Sequence, residues 1–484
     1  MDRWRLFWVG GGGTPDGTQS GLDGWEELHQ RERELGFRER QPILLSPLGQ
    51  VDWRLSDIFR RSKFSAKSAG TQETYMSDYR LFFTFLWQRG RNWDEATAED
   101  LEDWEEWRLR GVGNPRLIGG SKWNRELAAL RLLYDVAVAR KYLAANPVRT
   151  HTVVTMEGAV LQAADLAARD TRSSHVKWLT PRAFRLWRDV GLGGLGPDGL
   201  EDPGWRGRND GRDVAFADFD YSSGLRRREA GTLLTAELPQ ADQRRYSSGS
   251  VARAVAKRAG RYFYVGHTAL KSVEAYRIST RAQVVRKAQQ RGDYEQVPGR
   301  RVIEAISRQG KVRWREADGR RGEANLDQLD DRQRLLLFTE TKDGLEPAML
   351  WLTESGMPFR YRSWSKVFER ANDRCARLGL SVFATPHMLR HSMALRMLLS
   401  LNHALDRRFG LTTDERRRYQ EVFGEVWQMV KDLLGHASEE TTRDIYLEPV
   451  RGLQLESLLN DDNPYSDQLL ADLAQRTGLI LDAA

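Results

Sequence analysis

Three short patches in the second half of the chain hold side chains whose types and spacing could do chemistry. The first, "SSGLRRREAGTLL", places Arg226 two residues after Gly224 and Glu229 three residues further on. Alone, it also reads as a surface helix carrying Arg–Glu pairs. The second, "TPHMLRHSMALRM", opens a helix at Pro386 and sets His387, Arg390 and His391 in its first two turns. His387 and His391 have the i, i+4 spacing of a metal pair, but a zinc-protease pattern requires glutamate at position 388, where the chain has Met388. A helix start does favour an anion, so a phosphate beside Arg390 is physically sensible. The third, "LLGHASEETTRDIYLEP", puts His436 just after the helical stretch "VWQMVKDLL" and Tyr446 after a turn marked by Thr441 and Thr442. Alone, Tyr446 is also compatible with an aromatic residue closing a helix. A tyrosine hydroxyl attacks phosphorus well when cations gather charge on the nonbridging oxygens and an acid protonates the leaving oxygen. Two arginines, two histidines and a lysine would supply both.

Such a set needs elements to hold it, and 484 residues suggest two domains of ordinary size plus extensions. Residues 1–59 read as an N-terminal extension; its Gly10–Gly13 run lacks the Lys and Ser/Thr of a phosphate loop and reads as a linker. From Thr71 the pattern turns helical, with Tyr75, Tyr79, Phe82, Phe83 and Leu86 near a 3.6 period as a core stripe. Further helical signals cover Thr97 to Arg110 and Asn124 to Tyr142, until "ANPV" stops them, giving a helical domain over 60–149. Residues 150–175 are expected to form a linker with a helical portion. A larger domain over 176–455 shows helices at Pro181 to Asp189, Gly224 to Leu234 and Ala269 to Gln290, a strand in "RYFYVGH", and a hairpin of little core value in "GKVRWREADGRRG". Residues 456–484 form a tail. The expected fold class is mainly α with a small antiparallel β-sheet, that is, α+β.

The formal charge is +7 and much of the positive charge is arginine, suited to planar contacts with phosphate. Nucleic acid is thus a candidate partner, although arginines on solvated faces balanced by Asp and Glu would give the same composition. The single cysteine, Cys375, excludes an intrachain disulfide and a CxxC zinc site and fits a reducing cytosol. No run of about 18 apolar residues occurs, and the N-terminus has too short an apolar patch for an export signal, so a cytoplasmic protein without a membrane partner is expected.

The order G-L-R-x-x-E, then H-x-x-R-H, then L-G-H with a downstream tyrosine resembles the tyrosine recombinase (phage integrase) family. The likeness spans roughly 60–450 and is tight in the three patches; "NP" at the end of the helical region also resembles that family's SAM-like core-binding domain. The resemblance implies that Arg226 and Arg390 clamp the scissile phosphate and that Tyr446 attacks it to form a 3′-phosphotyrosyl bond, releasing a 5′-hydroxyl with no metal or nucleotide cofactor. It implies that His387 assists proton transfer from Tyr446, that His436 bonds a nonbridging oxygen, and that Glu229 holds Arg226 in place. The family's lysine acid sits on a β-hairpin between the first arginine and the histidine helix, where Lys257 is the preferred candidate and Lys271 competes. Implied partners are double-stranded DNA, further copies of the chain in a tetramer on two duplexes, and accessory recombinases or DNA-bending proteins.

Two departures stand out. Tyr446 lies ten residues after His436, one more than in many family members, and "LNHALDRRFGLTTDERRRYQ" lengthens the connection after Arg390. Rival readings are a type IB topoisomerase and a catalytically silent DNA-binding protein on the same fold. The long extensions favour a mobile-element recombinase among the family's tasks.

Overall fold

The computed structural model describes residues 3–9, 34, 36–37, 40–61, 63–154, 160–168, 177–240, 246–257, 259–403, 426–435 and 480–481. Two compact units divide the chain, residues 1–173 and 174–484.

In the first unit, β1 (Arg5–Trp8) pairs antiparallel with β2 (Pro42–Leu45). Four helices follow: α1 (Trp53–Arg61), α2 (Ala69–Gln88), α3 (Ala98–Leu109) and α4 (Gly120–Ala139). Their starts are local chemistry: the Ser68 hydroxyl accepts from Thr71 N–H, and Thr97 and Asp100 form a reciprocal capping box. The expected aromatic stripe is core, with Tyr79, Phe82, Phe83 and Leu86 fully buried. Tyr79 and Tyr134 hydroxyls donate to the carbonyls of Ala129 and Trp93, both at 2.8 Å, so each buried phenol is satisfied. The extension before residue 60 contributes to this core through Trp4, Leu44, Leu55 and Phe59. Beyond it, β3 (Thr150–Val154) and β4 (Val160–Ala164) form an antiparallel hairpin. Sequence had suggested a linker with a helical portion here; the β-branched Thr150, Thr152, Val153 and Val154 fit an extended ladder instead.

In the second unit, β5 (Trp178–Leu179) leads into α5 (Pro181–Gly191), α6 (Asp210–Ser223) and the short α7 (Arg227–Gly231). A hairpin of β6 (Tyr246–Val251) and β7 (Arg261–Gly266) runs straight into α8 (His267–Tyr276), a π turn and α9 (Ala282–Arg291). Then come β8 (Arg301–Ile306), β9 (Lys311–Glu316), β10 (Arg321–Asn325), α10 (Asp331–Leu335), β11 (Leu337–Thr341) and β12 (Gly344–Pro347). These five strands form one sheet in the order β10-β9-β8-β11-β12, antiparallel except where β11 meets β8. The helices α11 (Trp364–Arg377), α12 (Pro386–His403) and α13 (Val426–Leu434) complete the unit, and β13 (Ile480–Leu481) pairs in parallel with β5. The architecture is α+β, as expected.

Two expectations change here. A single helix over Gly224 to Leu234 is replaced by a break: α6 ends at Gly224 and α7 begins at Arg227. The hairpin "GKVRWREADGRRG" has core value after all, because Val312 and Trp314 bury against Leu337, Phe338 and Met349. Its alternation of charged and apolar residues is the pattern of a strand with one covered face. Most of the inserted stretch after Arg390, residues 404–425, lies outside the described residues, as does the tail apart from β13.

One buried ion pair ties α3 to α4. The Arg108 guanidinium donates to both Glu126 carboxylate oxygens at 3.0 and 2.6 Å, with the two side chains 4% and 1% exposed. Glu126→Leu alone strands a buried cation and is expected to cost about 3–5 kcal/mol, whereas Arg108→Met with Glu126→Leu recovers most of it. Denaturant unfolding of the full chain followed by tryptophan fluorescence reads both.

Candidate active site

The first patch is organised by the break after α6. Gly224 takes φ +62° and donates its N–H to the Asp220 carbonyl at 2.8 Å, closing the helix with a left-handed residue. A Cβ there would sit 3.0 Å from the Met393 sulfur, so a side chain would crowd Met393 as well as strain the backbone. Two residues on, Arg226 is extended at the N-cap of α7, and the Glu229 side chain reaches back to it. Glu229 Oε2 accepts from Arg226 N–H at 2.9 Å, and Oε1 from Arg226 Nη1 at 3.1 Å.

A residue that sequence reasoning missed completes this carboxylate's shell. Arg261, the first residue of β7, donates Nη1 to Glu229 Oε1 at 2.9 Å and Nη2 to Oε2 at 2.6 Å. Burial would raise the Glu229 pKa, but the bonds and charge of Arg261, then those of Arg226, hold it below the ordinary glutamate value. The available signal was an arginine opening the strand that follows the Lys257 loop.

The second patch lies at the start of α12. Arg390 is 1% exposed; its Nη1 donates to the Gly224 carbonyl at 2.6 Å and its Nη2 to the carbonyl of Leu434. Arg226 Nη2 donates to the next carbonyl, that of Gly435, at 3.1 Å. Both arginines therefore grip the C-terminal end of α13, where unsatisfied carbonyls and the helix dipole present negative charge. Gly435 is itself left-handed at φ +62°, and a Cβ on it would come within 3.0 Å of Arg261 Cδ. His436 is the following residue. His436 and Tyr446 lie outside the described residues.

His387 sits on the exposed side of α12, its ring edge-on to that of His391 at 4.2 Å. Its pKa is lowered, first by desolvation and then by the positive charges of Arg390, Arg226 and Lys257. The ring is thus biased towards the neutral form that accepts a proton. Lys257 is exposed on the loop joining β6 to β7, and is the candidate lysine whose charge acts on His387. Lys271 is exposed on α8. Arg226 and Arg390 thus meet at the end of α13, and the charges of both and of Lys257 act on His387. Among the described residues, no group of three or more His, Cys, Asp or Glu side chains could hold a metal ion, and no helix is long and apolar enough to cross a membrane.

Residues 63–141 match the family described as the phage integrase N-terminal SAM-like domain. Solved structures similar to this chain include XerH site-specific recombinase bound to a palindromic difH substrate, at 11% identity over 81% of this chain and 79% of that one, TM-score 0.42. Others are a lambda integrase (75–356) dimer bound to a COC′ core site, at 12% over 79% and 92%, TM-score 0.38, and the integrase from mycobacterium phage Brujita, at 14% over 81% and 96%, TM-score 0.22. No curated protein sequence matches the chain.

The charges around His387 give a test of which lysine belongs to the candidate site. Lys257→Gln removes a cation acting on the ring and should move the His387 titration midpoint upward, while Lys271→Gln should leave it in place. Proton NMR of the histidine ring against pH measures both.

Proposed function

We propose that the chain is a site-specific DNA recombinase that cleaves and rejoins strands through a 3′-phosphotyrosyl intermediate, with Tyr446 as nucleophile. One observation carries this reading: Arg226 and Arg390, from α7 and α12, converge on the last two carbonyls before His436. Three patches far apart in sequence thereby meet at one place, with Lys257 and His387 beside them.

In the proposed reaction the Tyr446 oxygen attacks phosphorus and the bond from phosphorus to the 5′ oxygen breaks. His387, kept neutral by its surroundings, takes the phenol proton, and Lys257 delivers one to the departing 5′ oxygen. Arg226, Arg390 and His436 hold the nonbridging oxygens as charge develops on them. A 5′-hydroxyl from another strand then reverses the attack, so the bond energy is conserved and no nucleotide is consumed. The resulting partner is duplex DNA, and strand exchange between two duplexes calls for a tetramer; a mobile element is the setting that the long extensions favour. Arginine-rich surfaces make binding steeply dependent on salt.

The test is covalent capture. Wild type and Tyr446→Phe are incubated with DNA from the gene's own neighbourhood, denatured with detergent, and the retained DNA is sequenced. Adducts at discrete sites from wild type alone are expected, with Lys257→Ala reducing their rate by roughly 10²–10⁴-fold. Adducts from both proteins would remove Tyr446 from its role. Adducts scattered over the DNA, with relaxation of supercoils, would favour topoisomerase chemistry, and DNA binding without adducts would favour a silent binder.

A further inference from the structure

One acid beside this cluster has no role in the reaction just described. Asp220 lies in the last turn of α6, four residues before Gly224, and is 0% exposed. Among the described residues, neither of its carboxylate oxygens has a hydrogen-bond partner. Buried carboxylates are ordinarily paired, because an uncompensated charge in a dry interior costs several kcal/mol. Replacing the acid by a leucine would fill such a place more cheaply, so its retention there calls for a reason.

The neighbourhood supplies one. Glu229 spends its four bonds on Arg226 and Arg261. Arg390 donates to Gly224 O, one turn beyond Asp220 on the same helix, so the carboxyl and this guanidinium belong to the same junction of α6 with α12. Ionisable groups of the elements around the junction include Arg390, His387, His391 and Arg396 on α12, the last donating to the Tyr221 carbonyl beside Asp220, Arg226 and Glu229 at α7, Arg261 on β7, His267 and Lys271 on α8, and Arg188 on α5. Burial favours the neutral acid most strongly, Arg390 opposes this, and Glu229 reinforces it.

We propose that Asp220 is a positioning residue that sets how strongly Arg390 holds phosphate: as a neutral acid it does not compete with the phosphate for the guanidinium, and as a carboxylate it does. This rests on the reading of Arg390 as a phosphate contact. Anion binding at Arg390 and proton binding at Asp220 then support one another. Raising the pH removes the proton, pairs Asp220 with Arg390 and weakens the hold on DNA.

The experiment measures binding of the full chain to a 30-base-pair mixed-sequence duplex by fluorescence anisotropy at constant ionic strength from pH 5 to pH 9. Wild type should lose roughly 10-fold in affinity at a step above the ordinary carboxylate range that Asp220→Asn, neutral at every pH, does not show. Calorimetry of wild type in buffers of different ionisation enthalpy should find proton uptake on binding across that step, a reading that needs no variant to fold. Parallel pH profiles for wild type and Asp220→Asn, or no uptake, overturn the proposal; a simultaneous loss of affinity in Arg390→Gln would show that the phosphate-contact reading stands without it. An Arg390→Gln that binds as tightly as wild type overturns both.

Discussion

The arrangement of the candidate site depends on a single buried carboxylate. Glu229 accepts from one backbone N–H and from two guanidinium groups, and the donors come from the start of α7 and the start of β7. Desolvation alone would neutralise such an acid, and it is the pair of arginines that keeps it ionised. The dependence is mutual, since two arginines held this close repel each other unless a charge of opposite sign lies between them. Arg226 is thereby fixed at both ends, at its backbone by the cap and at its head by Oε1. The same carboxylate fastens the β6–β7 hairpin, and so the root of the loop that carries Lys257.

From this centre the positions of the other elements follow. Gly224 must be glycine because α6 has to end against Met393 with a left-handed residue, and its freed carbonyl then receives Arg390. Gly435 favours glycine because its backbone is left-handed at φ +62°, and a Cβ would also press on the Arg261 side chain. Two helix C-termini, those of α6 and α13, thus face the guanidinium groups with their unsatisfied carbonyls. This is the electrostatically favourable way to hold a cation that has to remain close to an anion site.

Much of this was legible in the sequence because it is local. The aromatic stripe of α2, the stop at "ANPV" and the placement of His387, Arg390 and His391 on one helix all follow from periodicity and capping. Glu229 as a brace for Arg226 was implied by the family resemblance, and the i, i+3 ion pair between them is present. What sequence could not supply is pairing across long separations. Arg261 lies 32 residues from Glu229, and its place at the start of the strand after the Lys257 loop does not by itself reveal that partner. Trp314 was missed as core for a similar reason: a short strand flanked by arginines looks polar until the sheet covering its other face is known. The break at Gly224 was legible in principle, since a glycine followed by an Arg-x-x-Glu cap is an end and a beginning, and the apolar run on either side obscured it.

The hold that Arg226 and Arg390 have on Leu434 and Gly435 bears directly on how a phosphate would arrive. A backbone carbonyl is a neutral acceptor, and a phosphate oxygen carries charge, so a guanidinium exchanging one for the other gains a charge-assisted bond. The helix end left behind loses its cationic cap at the same moment. In the proposed reaction that helix end leads straight into His436, and ten residues later into Tyr446. Engagement of a phosphate by the arginines and release of the α13 end would then be one event, governed by the same few hydrogen bonds.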